Sequence, residues 1–434
     1  MCIIGGGIAG LSTALGLAER GVADVAVLEA EQVGFGASGR NGGFVFGGYS
    51  LDCADLLKTL GPVRARELYT LTTDAVDLMR KRIRRYRIDC DVTDAGVILA
   101  NWFDEPARLD TQRRLMRDSF GVDWEPLSAT ALASQLKTSR YHGGLFERNA
   151  FHFHPLKYVL GVAGAAAHAG VQIHEKSPVV RLEREGARRN GARRDCAQRD
   201  STPREGAQRD GARREGAGFV VHTPHGVLEA RHVVMAGGGY ARNVYARVER
   251  AVLPIATYAM ATEPLGARLK EALDTRAAVY DTRFAFDYYR PLPDTRILWG
   301  GRISVRDRAP EVIARLLRRD LLKVYPQLHD VRIEHAWGGL MSYARHKMPQ
   351  IGRSTDGVWY AVGFGGHGMA PTTVSGELLA AAISGERPVP DAFAAFGLTP
   401  AYGALGLAAA QLTYTAMQTR DALAARRPST RPAP

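Results

Sequence analysis

The chain has 434 residues, of which 46% are hydrophobic and 24% charged, and its formal net charge is +12. This length predicts two domains, and the composition is typical of a soluble globular protein. No apolar run is long and charge-free enough to cross a bilayer, and we expect no secretory signal, because the first motif already begins at Gly5. The four cysteines are scattered, so we expect no metal centre, no disulfide framework and a cytoplasmic location.

The positive charge does not form one patch. Residues 184–217 hold ten arginines and six acidic residues, a net of +4, and the remaining charge is spread along the chain. We therefore expect a basic enzyme surface and no nucleic-acid partner. A mild field that attracts anionic substrates is compatible with this distribution.

The first 29 residues predict a βαβ unit. Residues 2–4 form a short apolar strand, residues 9–20 a helix that stops at Gly21, and residues 24–28 a second strand. The first strand begins almost at Met1, which leaves it short for a central strand of a parallel sheet. We therefore expect a misplaced start codon or missing residues before it, and an N-terminally extended chain that holds its cofactor more tightly.

A glycine loop, Gly5-Gly-Gly-Ile-Ala-Gly10, joins this strand to the helix. Gly5 allows the tight turn, Gly7 lets the backbone approach a pyrophosphate, and Gly10 allows close packing of helix on strand. The helix N-terminus favours phosphate binding. Glu29 closes the second strand, where it can bind a ribose, and it disfavours a 2′-phosphate because two anions repel. These features alone are compatible with NAD or FAD.

A second glycine-rich run, residues 34–43, follows the ribose-binding strand directly. Such a run lets the backbone lie against a flat ring and a diphosphate, which favours FAD. Within it, Arg40 is expected to face a phosphate or the flavin edge; otherwise it is a solvated loop residue.

The middle of the chain contains an arginine-rich repeat. Residues 185–217 have no large apolar side chain, so we expect a disordered, functionally neutral insertion. The flanking segments, residues 177–183 and 219–223, alternate like strands and would form one hairpin without it. Insertion into a hairpin loop is tolerated because loop-closure entropy rises slowly with length.

Elsewhere the chain mixes strand and helix patterns. Strands are predicted at residues 96–100 and 296–300 and helices at 67–85 and 310–322, which indicates an α+β substrate domain. The tail carries an apolar helix over residues 402–417, expected to pack on the body, and residues after Arg426 are expected to be disordered.

The chain resembles the D-amino-acid-oxidase-like FAD oxidoreductases, the superfamily of glycine and sarcosine oxidases, and within it the γ-glutamylputrescine oxidases. The motifs that carry the resemblance keep one order along nearly the whole chain. They are Ala37-Ser-Gly-Arg-Asn-Gly-Gly43, His154-Pro-Leu-Lys-Tyr158, Val233-Val-Met-Ala-Gly-Gly-Gly239, Thr262-Glu-Pro-Leu265, Tyr288-Tyr-Arg-Pro-Leu292, Arg345-His-Lys-Met-Pro-Gln-Ile-Gly352 and Gly363-Phe-Gly-Gly-His-Gly-Met369.

The resemblance implies an α/β plus α+β architecture. A discontinuous, Rossmann-like FAD-binding domain of the GR2 type would comprise residues 1–90, 150–245 and 340–385. An inserted antiparallel-sheet substrate domain would comprise residues 91–149 and 246–339, and residues 386–434 would form a C-terminal helical tail. FAD should be bound non-covalently, because no cysteine follows Cys196 and no histidine precedes His142, where covalent members attach it.

The resemblance also assigns cofactor contacts. Val179, in a strand, would contact the adenine, and the turn at Ala236 would pass the diphosphate. Residues 365–369 would lead into a helix over 372–383 whose N-terminus stabilises negative charge on the reduced flavin. The full set of expected cofactor residues is Gly5, Gly7, Ile8, Ala9, Gly10, Glu29, Ala37, Ser38, Arg40, Asn41, Gly42, Gly43, Val179, Ala236, Gly237, Gly365, Gly366, His367, Gly368 and Met369.

The implied reaction is oxidation of a C–N bond of an amine or amino acid, with hydride transfer to flavin N5 and hydrolysis of the imine. Orientation over the ring would do most of the catalysis. The substrate pocket is expected from residues 281–290 and from those after Gly43. The candidate catalytic residues are His367, Arg290 and Tyr288.

Each candidate has an alternative. His367, the only titratable side chain of its turn, is either catalytic or a hydrogen-bonded structural histidine. Arg290 either clamps a substrate carboxylate, beside an aromatic wall of Tyr288 and Tyr289, or belongs to a packed strand. Either Asp281 or Asp287 could instead attract an ammonium group.

The electron acceptor is open between oxygen and a quinone. Lys347 is a candidate for speeding the reaction with oxygen, or a surface lysine. Two other functions remain alternatives: an amino-acid dehydrogenase that passes electrons to a quinone-type membrane acceptor, and an impaired flavin-binding protein without turnover. Peroxide formation would separate the oxidase from the dehydrogenase.

Overall fold

The computed structural model describes residues 1–184 and 218–425. The predicted disorder of residues 185–217 and of those after Arg426 falls outside the described residues. The strands are β1 Cys2–Ile4, β2 Ala26–Leu28, β3 Phe44–Val45, β4 Val97–Ala100, β5 Glu125–Leu127, β6 Gly144–Glu147, β7 Phe151–His152, β8 Gln172–His174, β9 Arg181–Arg184, β10 Phe219–Thr223, β11 Gly226–Ala230, β12 Val233–Met235, β13 Leu253–Thr262, β14 Ala278–Asp281, β15 Tyr288–Pro291, β16 Ile297–Ser304, β17 Ile333–Tyr343, β18 Gln350–Arg353 and β19 Trp359–Val362. The α-helices are α1 Ile8–Glu19, α2 Ala37–Arg40, α3 Cys53–Arg85, α4 Pro106–Leu115, α5 Ala129–Leu136, α6 Pro155–His168, α7 Ala246–Arg250, α8 Leu269–Ala272, α9 Pro310–Val324, α10 Met369–Ile383 and α11 Gly403–Ala424.

A six-stranded sheet supports the N-terminal glycine loop. Its strand order is β18-β19-β12-β1-β2-β8, and β1 pairs in parallel with both β2 and β12. Ile3 packs into a core shared with α1, α6 and α10, whereas Cys2 and Ile4 pack with Phe219 on the opposite face. Cover on both faces explains why this strand is apolar at every position.

The predicted hairpin is confirmed. Strands β9 and β10 pair antiparallel, with Arg184 opposite Phe219, and β11 completes a three-stranded sheet. The first strand starts at Arg181, later than predicted. The prediction that Val179 lies in a strand is therefore wrong: this residue belongs to an extended segment ahead of β9, in which the next residue already donates its N–H to the carbonyl of His222.

The second large sheet has the order β17-β13-β16-β15-β14-β4-β6-β5. It is antiparallel except for the parallel pair of β4 and β14. Helix α9 packs on it over a core that contains Trp299 and Tyr325. A Rossmann-like α/β part with an antiparallel-sheet α+β part is thus the architecture of this protein. The exact domain boundaries given above stay a prediction.

Helices α3 and α11 extend furthest beyond their predicted limits. Helix α3 begins at Cys53, capped by the Asp52 carboxylate, and bends at Gly61, whose φ of 74° is followed by a proline. Helix α11 continues past Met417 to Ala424. Of the helices in residues 1–184 and 218–425, none combines the length and apolar character needed to traverse a lipid bilayer.

Candidate functional site

A cavity of about 1020 Å³ lies between the two large sheets. Its walls include the chain directly after β1, β2, β12 and β19, together with residues of β15, β16 and β17 on the other side. Ligands of open α/β sheets bind at the carboxyl ends of the strands. The volume is at the upper end of the roughly 300–1,000 Å³ that is usual for ligand pockets, so it suits a large cofactor with a substrate beside it.

The glycine loop is built for close backbone approach. Gly5 has a φ of +119°, and a Cβ there would lie 2.7 Å from the carbonyl carbon of Ala236. A Cβ on Gly10 would lie 2.0 Å from the carbonyl oxygen of Gly5. Only glycine fits such positions, and the result is that α1 starts at the cavity wall with no side-chain cap on its N-cap Gly7. The Ile8 N–H donates to Ser38 Oγ at 3.0 Å, and the other N–H groups of this first turn suit phosphate oxygens.

Glu29 is held rigidly at the end of β2. Its carboxylate accepts the N–H of Gly6 at 2.6 Å and that of Glu31 at 2.9 Å, and it lines the cavity. Val179 lines the same end of the cavity and is 9% exposed. A fixed carboxylate next to an apolar wall has the chemistry that the ribose and adenine of FAD require.

Helix α10 brings a second N-terminus to the cavity. A Cβ on Gly376 would lie 2.4 Å from the Cβ of Ser12, so α1 and α10 cross in close contact. Met369 and Thr372, in the first turn of α10, line the cavity, and that turn contains no acidic residue. Its dipole can therefore stabilise an anionic group bound there. Together with the glycine loop and Glu29, this arrangement fits FAD.

His367 stands on the cavity wall just before α10. Its ring packs edge-on against Phe46 at 4.3 Å, its Nε2 is 3.4 Å from the carbonyl of Phe46, and its backbone N–H donates to Ser50 Oγ at 3.0 Å. Burial lowers the pKa of His367 to about 4. The ring is therefore neutral at physiological pH, with Nε2 able to donate to the carbonyl.

Five aromatic rings continue from His367 around the wall as an aromatic arc. Phe46 stacks on Tyr280 at 5.4 Å, Tyr280 meets Phe286 at 5.8 Å, Phe286 meets Tyr288 at 6.3 Å, and Tyr288 meets Phe44 at 5.6 Å. All five rings line the cavity. Ring faces attract cations and ring bodies exclude water, so this wall suits an amine or an alkyl ammonium.

The structure does not support Arg290 as a carboxylate clamp. Arg290 is 2% exposed and does not line the cavity. Its Nε donates to the carbonyl of Gly42 at 2.7 Å and its Nη2 to that of Phe153 at 2.8 Å, while Nη1 is 3.4 Å from Nδ1 of His152. Burial lowers the pKa of Arg290 to about 10. Its contacts fix the loop at Gly43 instead of reaching a substrate.

Two further expectations about this strand are corrected. Tyr289 is fully buried and stacks on Trp299, because consecutive residues of a strand point to opposite faces; only Tyr288 is in the wall. Asp281 and Asp287 are both 2% exposed and bound to Arg283, outside the cavity, so neither can receive a substrate ammonium.

The remaining predicted residues divide into two groups. Gly10, Gly43 and Arg290 are not on the cavity wall: they pack the loops behind it. Arg40 is on the wall, but its Nε and Nη1 already donate to the carbonyls of Phe35 and Gly338. The predicted residues on the wall are Gly5, Gly7, Ile8, Ala9, Glu29, Ala37, Ser38, Arg40, Asn41, Gly42, Val179, Ala236, Gly237, Tyr288, Gly365, Gly366, His367, Gly368 and Met369.

Sequence reasoning missed the contribution of the C-terminal helix. Gly406, Ala409, Thr413 and Tyr414 of α11 line the cavity, and Arg345 packs over the ring of Tyr402 at 5.7 Å. No motif marks these residues, and small side chains on a helix give no chemical signal. The alternation of aromatic residues in Phe44-Val-Phe46 did carry a signal, since it follows the glycine run directly.

Known proteins give independent information on this architecture. Residues 1–382 match the family described as DAO, FAD dependent oxidoreductase. The chain is similar to gamma-glutamylputrescine oxidoreductase of Escherichia coli K12, with 33% identity over 96% of this chain and 90% of that one. In structure it resembles glycine oxidase from Geobacillus kaustophilus, with a TM-score of 0.70 and 20% identity over 92% of this chain and 97% of that one. It also resembles L-proline dehydrogenase from P. horikoshii, with a TM-score of 0.70 and 20% identity over 90% and 94%. The chain therefore belongs to the DAO family of FAD-dependent oxidoreductases, and FAD is its cofactor.

Proposed function

We propose that this flavoenzyme oxidises a C–N bond of an amine, and that the amine resembles γ-glutamylputrescine. The observation that carries the proposal is the aromatic arc beside His367. Among described cavity residues, only Glu29 and Asp52 are acidic, and both are engaged, Glu29 by backbone N–H groups and Asp52 as the cap of α3. The amine is therefore met by rings and not by a carboxylate.

A wall of rings suits the protonation state that the reaction needs. An ammonium group is attracted by ring faces, but its transfer from water into an apolar wall lowers its pKa. The arc therefore favours loss of the proton once the amine is bound. A carboxylate in the same place would hold the group as ammonium, which has no lone pair to release.

The other residues of the wall contribute orientation and shielding. FAD, when bound, supplies the acceptor that takes hydride from the carbon next to nitrogen, leaving an imine that water hydrolyses. Neutral His367 can accept or donate one hydrogen bond without adding charge. The rings of Phe46 and Tyr280 keep bulk water from the amine, and the N-terminus of α10 favours electron density at the cofactor end of the cavity.

The far end of the substrate is proposed to carry a carboxylate. Arg345 and Lys347 line the cavity, and neither forms an ion pair within the described part of the chain. Cations of this kind suit the carboxylate of a γ-glutamyl group. An α-amino acid would need its carboxylate held next to the arc, and Arg290, which was expected to do so, is turned away.

Anaerobic mixing tests the proposal. The purified holoenzyme is mixed with γ-glutamylputrescine, putrescine, glycine and other α-amino acids, and the visible flavin absorption is followed. We expect bleaching by γ-glutamylputrescine and more weakly by putrescine. Bleaching by α-amino acids alone would contradict the amine proposal, and no bleaching by any of them would favour a flavin-binding protein without turnover. The reduced enzyme is then mixed either with oxygen, with detection of peroxide, or with a soluble quinone. The faster reoxidation of the flavin identifies the electron acceptor.

A pair of substrates, one with and one without a carboxylate, tests this part of the proposal. Lys347→Met removes one cation while keeping the length of the side chain, so the KM for γ-glutamylputrescine should rise roughly tenfold. Putrescine, which has no carboxylate, is the matched control and should keep its KM. An equal rise in KM for both substrates would show that Lys347 does not bind the carboxylate of the γ-glutamyl group.

We also propose that the FAD is held non-covalently. Cys2, Cys53 and Cys90, the cysteines of the described chain, do not line the cavity. Acid precipitation should therefore leave colourless protein and a yellow supernatant. Yellow colour in the pellet would overturn the proposal.

A further inference from the structure

The turn between β14 and β15, residues 282–287, carries two aromatic side chains into the cavity. Phe286 belongs to the aromatic arc, and Phe284 lines the cavity and packs against Tyr414 of α11 at 5.9 Å. Turns at a surface are usually the mobile parts of a fold. A ring that binds substrate from such a turn needs something that fixes the turn.

Arg283 supplies that constraint from behind the wall. Its Nε donates to Asp281 Oδ1 at 2.9 Å, and its Nη2 lies 2.5 Å from Oδ2 of both Asp281 and Asp287. One guanidinium thus joins the last residue of β14 to the last residue of the turn. Both carboxylates are buried, so the cluster is shielded from water and from salt.

Three more contacts fix the turn on its flanks. The Arg283 guanidinium stacks on the ring of Trp102 at 3.6 Å, and the backbone N–H of Trp102 donates to Thr282 Oγ1 at 3.1 Å. On the other side, the Phe284 N–H donates to Asp421 Oδ2 of α11 at 2.7 Å. The turn is held at three successive residues, 282, 283 and 284, while none of the charged groups that hold it lines the cavity.

We propose that Arg283 is a positioning residue for substrate binding: by joining Asp281 to Asp287 it fixes the turn so that Phe284 and Phe286 present their rings to the amine. This inference rests on the proposed function in one respect, that an amine binds at the arc. Arg283 acts through these two rings and does not touch the substrate itself. Its loss should therefore weaken amine binding and leave the chemical step nearly unchanged.

Arg283→Lys is the primary variant. Lysine keeps the charge but lacks the planar guanidinium that reaches both carboxylates and stacks on Trp102. In the holoenzyme we expect the KM for the amine to rise roughly tenfold, with kcat within about twofold. Asp287→Asn, which removes one of the two carboxylates at almost constant volume, should act in the same direction more weakly and serves if the lysine variant folds poorly. Arg268→Lys is the matched control, because Arg268 forms an equally bidentate pair with Asp330, at 2.8 and 3.1 Å, but on the exposed surface.

A double-mutant cycle distinguishes positioning from general stability. With Phe284→Ala and Phe286→Ala already present, Arg283→Lys should change KM by less than about twofold, because the rings through which it acts are gone. The same cycle is measured with tetramethylammonium chloride in place of the amine. This cation is attracted by ring faces but cannot be oxidised. Its Kd is obtained from the absorption of the oxidised flavin, with potassium chloride at equal ionic strength as reference.

The two readouts separate two kinds of failure. If the wild-type enzyme oxidises no amine, the proposed function fails, while the tetramethylammonium Kd still tests Arg283. Equal weakening by Arg283→Lys with and without the two rings would overturn the positioning role. So would an unchanged KM and Kd, or a fall in kcat alone.

Discussion

His367 is a neutral histidine on the cavity wall, and its environment predicts a pH dependence. The folded pKa is about 4, below the value of about 6.5 in an unfolded chain. Between these values the unfolded chain binds more protons, so the stability that His367 contributes is present above pH 6.5 and is lost as the pH falls towards 4.

His367→Gln should therefore unfold with a weaker pH dependence than the wild type. We expect wild-type stability to fall between pH 7 and pH 4.5 by roughly 1–3 kcal/mol more than that of the variant. Denaturant unfolding of both holoenzymes at the two pH values measures the difference. Parallel losses in the two proteins would show that His367 titrates normally. For the same reason, His367 should contribute no titration near pH 6.5 to the pH profile of kcat/KM. The profiles of the wild type and of the variant should therefore agree in this range.

Gly10 provides a second test at the scale of one residue. A Cβ there would lie 2.0 Å from the Gly5 carbonyl oxygen, so Gly10→Ala must push α1 away from the glycine loop. We expect loss of most of the bound FAD after gel filtration. Gly164→Ala is the matched control: it lies in α6 with no atom within 4 Å of the added Cβ, and it should raise stability by about 0.5–1 kcal/mol. Full FAD retention by Gly10→Ala would contradict the close packing described above.

At the scale of elements, a buried ion cluster holds three helices together. Arg82 of α3 is 1% exposed, its Nη2 lies 2.6 Å from Glu19 of α1, and the same atom binds Glu377 of α10. Glu377 also pairs with Arg20 at 3.1 Å. This cluster joins the two helices whose N-termini face the cavity.

Arg82→Ala should destabilise the protein by about 3–5 kcal/mol, because it removes the buried cation that Glu19 and Glu377 share. Arg85→Ala is the control. Arg85 lies one turn further on, 68% exposed and 3.7 Å from the same Glu19, and its loss should cost less than about 0.5 kcal/mol. Chemical denaturation of the holoenzymes gives the free energy of unfolding of each variant. Similar decreases for the two variants would contradict the predicted difference between Arg82 and Arg85.

The elements also show which parts of the site a sequence can predict. The glycine loop and Glu29 follow from local spacing, since every contact that defines them lies within one βαβ unit or the strand beside it. The hydrogen-bond partners of Arg290 cannot be predicted from local spacing. Its partners, Gly42 and Phe153, are 248 and 137 residues away in the chain, and two backbone carbonyls leave no trace in a side-chain pattern. The pair Tyr288-Tyr289 shows the same limit, because alternation predicts opposite faces without telling which one meets the cavity.

At the scale of the whole molecule, the paired strands β9 and β10 predict that the repeat is dispensable. Arg184 and Phe219 are direct partners, so the chain leaves and re-enters the sheet at one place. Replacing residues 185–217 by a single asparagine gives Arg184-Asn-Gly218-Phe219, and an Asn-Gly pair is a favourable two-residue hairpin turn.

This shortened chain should keep its FAD content and its KM within about twofold. Its stability should stay equal or rise by up to ~2 kcal/mol, because less loop-closure entropy is lost on folding. Absorbance ratios, steady-state rates and thermal unfolding measure the three quantities. Loss of FAD or of activity would show that the repeat has a function of its own.

The position of β1 has a consequence for biosynthesis. This apolar strand lies in the middle of its sheet, and one of its two neighbours, β12, begins only at Val233. A ribosome that adds roughly 5–20 residues per second needs about 10–50 s to reach that strand. Throughout this interval one edge of β1 has no partner, so the nascent chain exposes unpaired backbone N–H and C=O groups on an apolar strand, and its yield in a cell should depend on chaperones that bind this segment.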